Sequence, residues 1–309
     1  MRPSFSRMWK EIGVSKWTWD TRSILLIPLQ QPSLVLVRDA KGQRLQPGPG
    51  LAMTRIDKDG VAAALDTYLA GIGVTGDHRK ELAAGLWPAI MPELSAGGVL
   101  LSVAAKVAGT SWLQAGTVRQ QVEVTKPLAF DVSFKFLHHL DKGGNMLPAT
   151  HKDPAFVDDW IDDINWILGA QANVWFEKSD ADPVKVNEVL GQPVGDAVLR
   201  GHLAKEKDKV ADVTVFLVGK WKGKTGDDPA GSFLPDLNVI AVDDKPVIPM
   251  VKGLNPFTIV LAHELVHYVL HYRGYDGTFH LSDQHALLND KVESSVVAPD
   301  LQWKLHHKK

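Results

Sequence analysis

The 309-residue chain contains no cysteine, which excludes disulfides and thiol catalysis and fits either a cytosolic protein or one exported without oxidative folding. It has no run of 18 apolar residues, so a transmembrane helix is not expected. Its longest apolar stretch, Gly97 to Val107, is broken by Ser102 and Lys106 and reads as a buried element. Net charge is only -2 and no dense basic run occurs, which argues against nucleic-acid binding. The first ten residues, Met1 to Lys10, lack the apolar core of a signal peptide. No internal repeat is visible. What remains is an ordinary globular composition, 45% hydrophobic and 23% charged, long enough for two domains.

Against this background one stretch carries chemistry. His263-Glu264-Leu265-Val266-His267 reads H-E-x-x-H. On a helix, residues four apart share a face roughly 6 Å apart, which suits two imidazoles binding one zinc ion, while the intervening carboxylate can reach a water. The context is helical. Asn255-Pro256 offers a cap followed by proline at the first position, Phe257 to Tyr272 holds neither Gly nor Pro, and Gly274 is a stop signal. His271 extends the spacing to i+8. It lies about 12 Å along the axis from His263, too far for one ion, and is read as a polar residue near the helix end.

A catalytic zinc site needs a third protein ligand and an open position. Gly277-Thr278-Phe279-His280 lies past the helix stop and offers His280. Glu293, within a candidate helix Leu287 to Val297, is the competing ligand, with His285 and Asp290 behind it. Tyr268, Tyr272 and Tyr275 lie close enough in sequence for one of them to supply a hydrogen bond to a reacting oxyanion.

The surrounding pattern is mixed. Asp153-Pro154 opens an amphipathic helix with Phe156, Val157, Trp160, Ile161, Ile164, Ile167 and Leu168 as its apolar stripe. Strands follow at Gln171–Phe176, Val213–Val218 and Asp236–Val242, and then the motif helix. This order together with H-E-x-x-H resembles the zincin metallopeptidases. The ending G-x-x-H, here after a seven-residue insertion, resembles the metzincin branch. Leu270 and Arg273 stand where that branch has glycine and histidine, and no methionine follows Met250, leaving Leu287 or Leu288 for the methionine of its tight turn. If Glu293 closes the site instead, the resemblance is to the gluzincins, and the chain is expected to be an intracellular processing protease.

The resemblance implies an α+β fold with a zincin-like catalytic domain, a mixed sheet plus active-site helix, over residues 126–309. It implies Zn2+ held by His263, His267 and His280, with Glu264 as general base for hydrolysis of a protein or peptide substrate. Strand Leu237–Val242 is expected along the cleft, where an extended peptide could add to its edge. Residues 1–125 form a mixed α/β module with a targeting, inhibitory or partner-binding role. It has strands at Ser23–Leu29, Ser33–Val37 and Val118–Val124, and helices at Val61–Ile72 and His78–Leu86. The Gly/Asn-rich stretch Lys142–Ala149 is the other place where the boundary can fall. By analogy, the lack of a signal peptide and of cysteine fits a secreted effector or toxin with a secretion-system, immunity or inhibitor partner. A zincin-fold binding protein without turnover is the alternative from another class. Gly219–Thr225 resembles a phosphate-binding loop but is one residue short and opens no helix, so a basic connecting loop is expected.

Overall fold

The computed structural model describes residues 4–11, 16–20, 24–71, 76–190, 193–222, 230–244, 256–277, 280, 287 and 299–309. The chain packs as two compact units. One comprises Met1–Leu128, Asn165–Val174 and Ser295–His306; the other comprises Ala129–Ile164, Trp175–Ser294 and His307–Lys309. Among the described residues no helix is long and apolar enough to cross a membrane.

In the first unit the elements run β1 (Ser4–Glu11), β2 (Lys16–Asp20), β3 (Ile24–Pro28), β4 (Ser33–Arg38), β5 (Leu45–Pro47), β6 (Leu51–Ile56), α1 (Val61–Gly71), α2 (Gly76–Ser95), β7 (Val99–Ala105), β8 (Gly109–Ala115) and β9 (Val118–Thr125). They form a five-stranded sheet in the order β2-β1-β4-β7-β6 and a four-stranded sheet in the order β3-β9-β8-β5. Alternate residues of both sheets, Leu25 and Ile27, Val35 and Val37, Leu101 and Val103, Val122 and Val124, share one buried cluster, as the two-residue period of a strand requires. The apolar run from Gly97 becomes β7. Strand β8 was not expected, since it opens on Gly-Thr-Ser. It forms because the tight turn at Gly116, at φ 58°, folds it back on β9 with Ala115 opposite Val118.

A six-stranded sheet is built from β10 (Leu128–Leu140), β11 (Met146–Pro148), β12 (Val174–Val189), β14 (Val213–Gly219), β16 (Gly231–Leu234) and β17 (Val239–Asp243). Between them lie α3 (Val157–Ala172), β13 (Val194–Gly195), α4 (Asp196–Glu206) and β15 (Trp221–Lys222), followed by α5 (Pro256–Tyr272) and α6 (Pro299–His306). The order is β11-β10-β14-β17-β16, with β12 also on β10. Strands β10, β14 and β17 are parallel, and β11 and β16 run antiparallel at the edges. Every residue of β14 and β17 is buried, which explains their unbroken apolar sequences in the sheet's interior. Parallel and antiparallel pairing together make the sheet mixed, in keeping with an α+β class.

Several expectations change. Strand β17 is paired on both sides, so Leu237–Val242 is not an edge, and among the described residues β16 is the outermost strand on that side. Lys142–Ala149 is a hairpin: Asp141 Oδ1 accepts from the Gly143 and Asn145 backbone N–H groups, and β11 returns along β10. The strand expected at Gln171 begins at Val174, because α3 continues through Ala172 and Asn173 turns the chain at φ 54°. Phe156 drops out of the apolar stripe and is exposed, whereas Trp160, Ile161, Ile164, Ile167 and Leu168 are buried. Gly219 ends β14, and Trp221 pairs with Val194; residues 223–229 lie outside the described residues.

Helix α3 also contributes Asp163, whose Oδ2 accepts from Thr258 Oγ1 of α5 at 3.2 Å. Burial pushes its carboxyl up from 3.8 to about 6, only partly opposed by that hydrogen bond, with Asp159 and Asp162 adding to the rise. A carboxyl raised on folding favours the fold while protonated, so this contribution is present below about pH 4 and is lost as pH rises through about 6. Asp163→Asn keeps an acceptor for Thr258 and removes the charge. It should stabilise the protein by about 1–2 kcal/mol at pH 7 and leave it unchanged near pH 4. Thermal melts at the two pH values check this, and equal melting at pH 7 would contradict it.

Candidate metal centre

Helix α5 is buried from Phe257 to Leu270 without a break, the behaviour of a core helix apolar on every side. Into this environment it carries His263, Glu264 and His267, only 2%, 5% and 4% exposed. Burying three ionisable side chains is costly unless each finds a partner. The structure supplies them from three directions.

The first is the chain after the helix. Pro256 opens α5; Asn255 lies outside the described residues. At the other end Gly274 takes φ 81°, its N–H bonds His271 O, and the Tyr275 N–H bonds Leu270 O. That pair of bonds is a Schellman stop, which needs the left-handed residue that glycine provides. The returning chain then passes flush against the helix at Gly277, where a Cβ would lie 3.0 Å from His271 Cβ and 3.1 Å from Phe233 Cε1. His280 is thereby brought back over the motif. Its Nε2 lies 3.2 Å from His267 Nε2, which in turn lies 2.9 Å from His263 Nε2.

The three ring nitrogens converge within 4.8 Å of one another, so these histidines could hold a metal ion. Two nitrogens bound to one tetrahedral zinc at 2.0–2.1 Å are roughly 3.3 Å apart, close to both separations. The donor chemistry fits as well. Leu287 O lies 2.6 Å from His263 Nδ1 and can only accept, so Nδ1 carries the proton and Nε2 presents its lone pair. Burial, with His263 and His280 beside it, drives the His267 imidazole down to about 2 and keeps it neutral, against weaker opposing effects of the Gly277 backbone and Asp276.

Glu264 faces β16. Its Oε2 accepts the Phe233 N–H at 2.7 Å, and burial pushes the carboxyl up to about 8 against the pull of that bond. The Asp243 N–H bonds Ala230 O, so Phe233, three residues on and in register with Ile240, turns its N–H to the outer side of the edge strand.

His271 takes no part in the cluster; its exposed ring lies 5.6 Å from Phe233. Tyr268 is buried between Phe130 and Phe233, and Tyr272 packs on Phe130, so aromatic packing accounts for both rings. Tyr275 caps α5 through its backbone. Leu287 is fully buried and its carbonyl orients His263. Glu293, His285, Asp290 and Leu288 lie outside the described residues. Gly231 and Phe233 of β16 were missed by the sequence reading. The strand is four residues long, and only the glycine and phenylalanine two apart could have hinted at it.

No protein-family model matches the chain, and no curated protein matches it. Among solved structures, a zinc-dependent peptidase from Methanocorpusculum labreanum strain Z is similar at 10% identity and a TM-score of 0.36, over 57% of this chain and 99% of that one.

Alanine at His263, His267 or His280 should each weaken zinc binding by roughly 100-fold or more, beyond the 10–100-fold typical of outer-shell losses. His271→Ala should leave it unchanged. Competition titration against a chromophoric chelator measures this. Equal losses at His271 and His280 would contradict the assignment.

Proposed function

We propose that this protein is a zinc-dependent hydrolase of peptide bonds, with His263, His267 and His280 holding the metal and Glu264 acting as general base. The observation that carries this reading is the convergence of three imidazole Nε2 atoms on one point of a buried helix whose next residue is a buried carboxylate. Structural zinc sites are closed by four protein ligands, whereas the three imidazoles that converge among the described residues leave a position open. When bound, zinc supplies a Lewis acid that acidifies water and polarises a carbonyl.

The chain's own groups do the rest. Leu287 O holds the proton on His263 Nδ1 and so keeps Nε2 aimed at the ion. The Phe233 N–H anchors Glu264 Oε2, leaving Oε1 to take a proton from the attacking water and pass it to the departing amine. Strand β16 has β17 as its partner and lies at the sheet's edge beside Glu264. Among the described residues no second strand pairs with this edge, and the outward groups other than the Phe233 N–H held by Glu264 favour an extended peptide as substrate, since its backbone can add to the strand. With His280 as third ligand, this reading gives the site the ligand set of the metzincin branch, with the buried Leu287 taken as the stand-in for that branch's methionine.

Glu264→Gln should retain one zinc per chain and lose at least about 100-fold in cleavage of an unfolded protein. Metal analysis and a cleavage assay on the purified variant decide this. A wild-type protein that binds no zinc, or a Gln variant that cleaves as fast as wild type, would contradict the proposal.

A further inference from the structure

We infer that β16 is a cradle that aims the Glu264 carboxylate, and that Gly231 is a positioning residue for the hydrolysis; this rests on the reading of Glu264 as the base. The ladder to β17 sets the geometry. The Asp243 N–H bonds Ala230 O, so Ala230 turns its carbonyl inward, and in an antiparallel pair the next residue turns its groups outward. Gly231 and Phe233, opposite Val242 and Ile240, are therefore the outward-facing residues of this edge. Glu264 meets both. The Phe233 N–H draws in Oε2 at 2.7 Å. At Gly231 the carboxylate arm lies against the bare Cα: a Cβ there would sit 3.0 Å from Glu264 Cγ, 3.2 Å from Oε1 and 2.9 Å from Val260 Cγ1.

Gly231 does not owe its identity to backbone conformation, because its φ is not among the positive ones. Clearance is what the missing side chain provides. Both neighbours are held in the core, for Val260 and Glu264 stand on successive turns of the same helix face and both are buried. One contact thus attracts one carboxylate oxygen, and the other limits where Cγ and the second oxygen can lie. Together they select the side-chain conformation of Glu264 without touching the three histidines.

The test is Gly231→Ala in the zinc-loaded full chain, assayed on a fluorogenic peptide. A methyl group at this point displaces the carboxylate, and a shift on the order of 1 Å costs up to roughly 100-fold. The expected result is a kcat lower by about 10–100-fold with KM and zinc affinity unchanged. Adding Gly231→Ala to Glu264→Gln should lower the residual rate no further. Val260→Ala, alone and combined with Gly231→Ala, separates aiming from packing by relieving the closest contact while leaving the one to Glu264. The combined variant should stay slow relative to Val260→Ala, and it carries the same test should Gly231→Ala alone fold poorly. A wild-type kcat in Gly231→Ala, or full rescue by Val260→Ala, would overturn the inference while leaving the proposed function standing. Absence of hydrolysis by the wild type would overturn that function and the inference with it.

Discussion

The site depends on one constraint, the burial of α5 on all sides. Had this helix lain on the surface, His263, Glu264 and His267 could have been satisfied by water and would have needed no fixed partners. Inside the core each must be met by a specific atom, and a buried polar group left unmet costs on the order of 1–3 kcal/mol. Leu287 O meets His263, the Phe233 N–H meets Glu264, and the three Nε2 atoms meet one another. A carbonyl fixes the proton of His263 on Nδ1, so its Nε2 has no proton to give, and neutral His267 has at most one proton to share between two nitrogens. A cation between the three nitrogens resolves that shortfall for all of them at once.

The rest of the second unit serves that helix. The buried strands β14 and β17 give a rigid floor, and β16 is held at the edge by β17 with Phe233 packed against Tyr268 and His271 of α5. The aromatic series Phe134, Phe136, Trp160 and Phe257 ties β10 and α3 to the start of α5. At its end the Schellman turn at Gly274 and the flush contact at Gly277 divide between two glycines the work of returning the chain to His263 and His267. The site thus stands on regular elements and one tight turn, the kind of support that keeps a catalytic geometry within a fraction of an ångström.

What was legible in the sequence was what is local. The i, i+4 spacing of His263 and His267 is a property of a single helix, the rise per residue removed His271, and the stop at Gly274 directed attention to His280. The apolar runs of β14 and β17 are readable because strands buried on both faces leave an uninterrupted signature. The edge strand was not. Gly231 and Phe233 act on Glu264 from 31 or more residues away, through a backbone N–H and a missing side chain, and neither leaves a mark in composition. Leu287 acts through its carbonyl, which any residue possesses. The hairpin over Lys142–Ala149 reads as a linker in the sequence because glycine and asparagine serve hairpins and linkers alike.

The central claim is that three imidazoles hold one ion and leave a position open. X-ray absorption at the zinc edge of the loaded wild-type protein tests it most directly. The account predicts three nitrogen ligands at about 2.0–2.1 Å with the outer-shell scattering of three imidazole rings, plus one light oxygen. A spectrum with two imidazoles and a carboxylate would contradict it and move the third ligand from His280 to an acidic residue.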